Sequence, residues 1–230
     1  MRRTLLAAAF ASGVLGGAAA AAECRLALAL ALDVSSSVDA SEYALQTEGL
    51  ASALEAPEVR RAIFLDGAGP VALAIYEWSG RNEQALVQHW ILLSDQATLD
   101  GVIARLRGTT RSHDQFPTAL GYALAYGALL MRTAPNCARH TIDVSGDGMA
   151  NEGYAPPLAY ENFDFAGITV NGLVIGGSVK PELVSYYIAQ VLHGPGAFVE
   201  VAADYTDYSR AMRRKLLREL MPPIFVSRRR

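Results

Sequence analysis

Leu26-Ala27-Leu28-Ala29-Leu30-Ala31-Leu32 is a run of apolar residues with no polar face. That pattern predicts a strand buried on both sides, as in a parallel sheet covered by helices. Asp39-Ala40-Ser41-Glu42 has capping-box spacing, and Tyr43, Leu50 and Leu54 beyond it share one helical face. Residues 71–76 and 86–91 read as two more strands, with a hairpin-like turn at Gly80-Arg81-Asn82 between them. Residues 98–106 have helical spacing. Pro117 stands where the first turn of another helix is expected, and residues 118–131 continue it, apolar nearly all round as in a buried helix. Residues 140–144 and 168–175 read as strands, 183–192 as helix, 197–201 as a last strand and 208–220 as a closing helix.

This alternation predicts an α/β fold: a doubly wound, mostly parallel sheet with helices on both faces and one antiparallel edge strand, within residues 78–90. No linker and no internal repeat interrupts it, so residues 23–230 read as one domain with a core of about 25–220. In such folds ligands bind beyond the carboxyl ends of the strands, where the connectivity reverses. The end of the first strand is therefore where chemistry is sought.

The first 22 residues read as an address. Met1-Arg2-Arg3 is a basic start, residues 4–22 are almost wholly apolar, and Ala20-Ala21-Ala22 precedes Glu23 as signal peptidase requires. Glu23 before Cys24 does not fit a lipoprotein cleavage site. A retained anchor is the competing reading, but the run is short and rich in small residues. Cleavage predicts a periplasmic or secreted protein with no stable membrane span. It would also put Cys24 and Cys137 where a disulfide can persist. Each cysteine precedes a predicted strand, so the two meet if those strands are sheet neighbours; unpaired thiols are the alternative.

Composition narrows the rest. With 51% of residues hydrophobic, disordered and fibrous classes are excluded. The formal charge of −3 becomes −5 without Arg2 and Arg3, which provides no basic field for nucleic acid. Two cysteines cannot build a thiolate zinc cluster. Oxygen donors, in contrast, gather at the expected edge. Asp33, Ser35 and Ser37 alternate at the end of the first strand, Thr118 opens the buried helix, and Asp147 follows the fourth strand. Two carboxylates and three hydroxyls, with no thiolate or imidazole, suit a hard cation such as Mg²⁺, with Mn²⁺ or Ca²⁺ as substitutes.

Here the sequence resembles the von Willebrand factor A (VWA) domains, specifically a bacterial exported branch of unassigned function. Their metal-ion-dependent adhesion site has the pattern Asp-x-Ser-x-Ser, a distant Thr and a distant Asp. Asp33, Ser35 and Ser37 match the first element. Residues 116–124 are similar to the Gly-Gly-Thr-x-x-Gly-x-Ala-Leu helix start, which puts the threonine at Thr118, although Phe116 and Pro117 replace the glycines. Asp147-Gly148 is similar to the Asp-Gly element. Asp143 is its rival, set aside because it falls inside the apolar strand. Trp78-Ser79-Gly80 and residues 142–148 are close to the exported branch. The resemblance spans residues 25 to about 220 and implies a Rossmann-like VWA fold. It also implies an exported protein-binding module, not an enzyme. In it Ser35, Ser37 and Thr118 would touch the metal, Asp33 and Asp147 would act directly or through water, and a partner's acidic side chain would fill the open position.

Competing motifs are weaker. Asp143-x-Ser145-x-Asp147-Gly148 imitates an EF-hand start, but its twelfth position is Tyr154 and a strand-like run precedes it. Asp33-Val34-Ser35 lacks the second acid of an aspartyl-phosphate site, and Gly176-Gly177-Ser178-Val179-Lys180 lacks the last glycine of a nucleophile elbow. A hydrolase using the same carboxylates and a VWA scaffold without metal are the alternatives. His113, with Asp114, lies in the loop before Thr118 and reads as ordinary exposed loop, with a place on the rim of the site as the alternative, while His89 and His140 read as structural. Trp78 and Trp90 read as packing, Arg213-Arg214-Lys215 with Arg218 as a solvated helix face, and Arg228–Arg230 as a frayed tail.

Overall fold

In the computed structural model, which describes residues 23–221, leucine and alanine alternate along β1 (Leu26–Asp33), and the alternation is one of size. Leu26, Leu28, Leu30 and Leu32 enter one hydrophobic layer; Ala27, Ala29 and Ala31 enter the other. Both faces are buried, so no polar position marks either. The leader expected in residues 1–22 and the frayed tail expected at Arg228–Arg230 lie outside the described residues.

The leucine face is covered by α1 (Ala40–Glu55), α2 (Pro57–Ile63), α3 (Gln96–Gly108) and α7 (Tyr208–Leu220). The alanine face is covered by α4 (Leu120–Met131), α5 (Pro156–Asn162) and α6 (Pro181–Tyr186), which a π-turn extends over Tyr187–Val191. Small residues let α4 approach the sheet closely. A Cβ on Gly127 would lie 2.7 Å from Tyr76 Oη and 2.9 Å from Ile142 Cδ1.

The six strands run in the order β3-β2-β1-β4-β5-β6, with β2 (Val71–Trp78), β3 (Gln84–Leu93), β4 (His140–Gly146), β5 (Ile168–Ile175) and β6 (Val199–Ala202). Only β2–β3 is antiparallel, and β3 is an edge strand, as expected. The chain leaves β1 toward β2 and later returns to β4 on its other side. The switch point therefore lies between the ends of β1 and β4.

Several expected boundaries shift. The helix expected from Pro117 starts at Leu120, with Ala119 as its N-cap, so Thr118 sits in the preceding loop, whose backbone is tied to neighbouring segments instead. Proline fits a first helical turn but does not require one. Residues 183–192 form a short α-helix and a π-turn. The short helices α2 and α5, each opened by proline, escaped the reading because seven residues hold too little periodicity.

Lys215 is the main correction. Read as part of a solvated face, it is fully buried, with its Nζ 2.8 Å from Asp143 Oδ1 and 2.7 Å from Glu219 Oε1. The α7 face toward the sheet runs through Tyr208, Met212, Lys215 and Glu219 at helical spacing, so Lys215 occupies a core position. Cys24 and Cys137 are disulfide-bonded across a separation of 113 residues. Closing a loop of that length stabilises the fold by about 4–5 kcal/mol in the chain-entropy model.

Candidate functional site

Asp33 is the last residue of β1, paired in register with Trp78. It continues the alanine face and is fully buried. Its Oδ1 accepts the Ser35 amide at 2.8 Å, which turns the chain so that the Ser35 and Ser37 hydroxyls lie 3.3 Å apart. The Ser36 amide donates to Phe116 O at 2.8 Å, and one Arg111 nitrogen, Nη2, donates to both Val34 O and Ser35 O at 2.9 Å. The turn is therefore held from outside by the loop that precedes α4. Behind it the expected capping box is present: Asp39 Oδ1 accepts the Ser41 and Glu42 amides, and Glu42 accepts the Asp39 amide.

Thr118 is brought to the same place. Its hydroxyl lies 3.2 Å from Ser35 Oγ. Its amide donates to Asn151 Oδ1 at 2.8 Å, and its carbonyl accepts the Asn151 amide at 3.0 Å. From β4, Asp147 Oδ1 accepts the Ser37 hydroxyl at 2.8 Å. Ser35, Ser37, Thr118 and Asp147 thus form one continuous chain of contacts, with Asp33 bonded beneath it. Asp143 is not in this group, because it faces α7. His113 stacks edge-on against Phe116, 5.4 Å between centroids, in the loop before Thr118.

The electrostatics single out Asp33. Its Oδ2 is buried and has no hydrogen-bond partner among the described residues. Burial, reinforced by the charge of Asp147, raises its pKa to about 7, against the hydrogen bonds from Ser35. Tyr187 has a buried, partnerless hydroxyl beside it, and burial with the Asp33 charge raises that phenol well above its ordinary pKa. Gly146 makes room for both: a Cβ there would lie 2.7 Å from Tyr187 Oη and 2.9 Å from Asp33 Oδ2. Lys180 Nζ is 3.3 Å from the backbone carbonyl of Asp147. Among the described residues, neither Asp33 nor Asp147 forms a salt bridge.

Chemically this is a set of hard oxygen donors with one orphaned carboxylate oxygen, and a hard divalent cation fits it. No group of three His, Cys, Asp or Glu side chains suited to a metal occurs among the described residues, so the hydroxyls are essential to any such site. Arg111, Asn151 and Tyr187 were not found from the sequence, where nothing marks them; only the fold places them at this edge.

Residues 23–224 match the family described as "Protein of unknown function (DUF1194)". The chain belongs to the DUF1194 family. No curated protein matches it. The DUF1194 chain has the fold of the von Willebrand factor A domains. It is similar to proximal thread matrix protein 1 from the mussel byssus (TM-score 0.62, 16% identity, covering 86% of this chain and 50% of that one). In another structure of that protein the MIDAS motif is occupied by zinc (TM-score 0.58, 13% identity, 86% and 49% covered). It is also similar to a von Willebrand factor type A protein from Catenulispora acidiphila (TM-score 0.57, 13% identity, 86% and 43% covered). The DUF1194 chain thus spans half or less of the length of these structures. No helix among the described residues is long and apolar enough to cross a membrane.

Proposed function

We propose that this chain is an exported, metal-dependent protein-binding module, a single domain over residues 23–230 behind a cleaved leader, and not an enzyme. Asp33, Ser35, Ser37, Thr118 and Asp147 hold Mg²⁺, with Mn²⁺ or Ca²⁺ able to substitute. The observation that carries this is the convergence of three hydroxyls and Asp147 above a buried Asp33 whose Oδ2 has no hydrogen-bond partner among the described residues. With three hydroxyls touching the cation and Asp33 and Asp147 acting directly or through water, the cation keeps a coordination position that can accept a carboxylate from a partner protein. The Arg111 and Phe116 contacts hold the Ser35–Ser37 turn in shape before any partner arrives. The zinc-occupied motif of the byssus protein supports the metal reading, and the likeness to PilB, a minor pilin from Streptococcus sanguinis (TM-score 0.59, 12% identity, 91% of this chain and 64% of that one), supports an extracellular setting.

Calorimetry on the purified chain tests the proposal. Mg²⁺ should bind with heat, Asp33→Ala should abolish that heat, and generic phosphate and acyl esters should not be turned over. Absence of Mg²⁺ uptake by the parent chain would sink the metal reading, and metal-dependent turnover would sink the non-enzymatic one. Capture of proteins from the native envelope with and without chelator then identifies the partner.

A further inference from the structure

We propose that a cleft at the opposite, amino-terminal edge of the sheet is a second binding site, for a small molecule carrying a carboxylate or a phosphate. This cleft of about 280 Å³ lies among the starts of β4 and β5, the turn around Pro195 and the last turn of α7. Two guanidinium groups border it, from Arg139 and Arg218. Among the described residues neither forms a salt bridge with a carboxylate.

The two arginines are held but not used up. Arg218 lies on the Phe198 ring, its guanidinium carbon 3.7 Å from the centroid, a cation–π contact that uses none of its N–H donors. Arg139 is half-buried and gives one hydrogen bond, from Nη2 to Glu219 O at 3.0 Å. Arg25 shows the contrast. Its Nε, Nη1 and Nη2 all donate to carbonyls, of Gly69, Leu220, Ala62 and Ile63, so its role in closing the end of α7 is complete. Burial lowers the Arg139 pKa, and the nearby Glu219 charge offsets only part of that shift.

The local charge favours an anion. Arg139, Arg218 and Lys215 stand against Asp143 and Glu219, so one positive charge remains even with both carboxylates ionised. Glu219 also borders the cleft; its Oε1 accepts from Lys215 Nζ and Asn171 Nδ2, both at 2.7 Å, while its Oε2 has no partner among the described residues, so the bound anion has to be met by the two guanidinium groups rather than by this side of the cleft. Thr141 and Thr169 line the cleft as register partners on β4 and β5 and add two hydroxyl donors side by side. Guanidinium forks with flanking hydroxyls match the oxygens of a carboxylate or phosphate, which accept paired N–H donors. This cationic feature stands out on a chain whose net charge is −3.

Isothermal titration of the purified, oxidised chain with phosphate and with succinate, at an ionic strength fixed with chloride, tests the site. Saturable binding of at least one anion, one per chain, is expected, and the tighter of the two identifies the ligand as phosphate- or carboxylate-bearing. Arg218→Gln, an exposed replacement, should weaken binding by about tenfold or more. Arg139→Gln should do the same in a chain whose circular dichroism is that of the parent, and Arg61→Gln, outside the cleft, should leave affinity unchanged. Binding no tighter than that of chloride, or parent-like affinity in Arg218→Gln, overturns the proposal.

Discussion

Two buried polar clusters meet β4 from opposite faces of the sheet, and they are built differently. Under α7, Asp143 and Glu219 share one internal cation, Lys215, and Asn171 also donates to Glu219. At the carboxyl edge, Asp33 and Asp147 approach each other with hydroxyls between them and no salt bridge among the described residues. The first cluster carries its own counter-ion and is covered by α7, with Glu219 and Asn171 bordering the cleft at the amino-terminal edge. The second has no counter-ion among the described residues and lies partly open through Ser37 and Asp147; both clusters leave buried carboxylate oxygens without hydrogen bonds, Asp143 Oδ2 and Glu219 Oε2 in the first and Asp33 Oδ2 in the second. The same strand thus supports a closed structural charge cluster and an open one whose missing charge must come from outside.

The largest test of that contrast removes the internal cation. Lys215→Met leaves two carboxylates in the interior without a counter-ion, and breaking a buried pair costs about 3–5 kcal/mol. Urea unfolding should show a loss of that size, and adding Asp143→Asn should restore part of it. A loss below about 1 kcal/mol would mean that Lys215 is not what neutralises the cluster. Asp33→Asn should act in the opposite direction. It removes a buried charge that no salt bridge among the described residues neutralises, so the metal-free chain should gain about 1 kcal/mol. The same substitution should lower Mg²⁺ affinity by about a hundredfold or more. Destabilisation of the metal-free chain by Asp33→Asn would show that the hydrogen bond from Ser35 outweighs the cost of the buried charge.

The two clusters also separate by pH. Burial and the Glu219 charge push the Asp143 pKa up to about 8 against the pull of Lys215, and Asp33 is raised to about 7. Both values exceed the ordinary carboxylate value of about 3.9, so the folded chain holds these protons more tightly than the unfolded one. Their stabilising effect is complete below about pH 4 and is lost as pH rises through about 7 for Asp33 and about 8 for Asp143. In unfolding free energies measured across this range, Asp143→Asn should flatten the slope by at most about 1.4 kcal/mol per pH unit. Saturating Mg²⁺ should remove the Asp33 share, because the cation favours its ionised form, and leave the Asp143 share in place. An equal response of both shares to Mg²⁺ would mean that the clusters are not independent.

The difference in construction explains what could be read from the sequence. Asp33, Ser35 and Ser37 are contiguous, and the strand before them is uniformly apolar, so their position at a sheet edge was visible. Thr118 and Asp147 were found because each follows or precedes a recognisable element. Lys215 was misread because its neighbours Arg213 and Arg214 are exposed, and a basic run looks solvated unless each position is placed on the helical wheel. The signal was present in two anomalies, a carboxylate inside an apolar strand and a lysine at a core position of α7. Each explains the other only once the strand order brings β4 beneath α7. Arg111 and Asn151 bond mainly through backbone partners distant in sequence, which no local pattern reports. The size alternation of β1 was legible as burial but not as a choice of face, since leucine and alanine are both simply apolar to a pattern search.

The smallest predicted effect asks which contacts shape the open cluster. Asp39 caps α1 two residues after Ser37, and replacing such a cap with alanine costs about 1 kcal/mol. Asp39→Ala should therefore lower the unfolding midpoint by that amount. Its effect on Mg²⁺ affinity should be small, less than about threefold, or about 0.7 kcal/mol. The reason is geometric. The turn that carries Ser35 and Ser37 is fastened by the Asp33 carboxylate, by Phe116 O and by Arg111, none of which belongs to α1. The helix start follows the turn but does not set it. A fall in affinity of about tenfold or more on Asp39→Ala, in a chain that remains folded, would reverse that order and make the start of α1 the element that aims the hydroxyls.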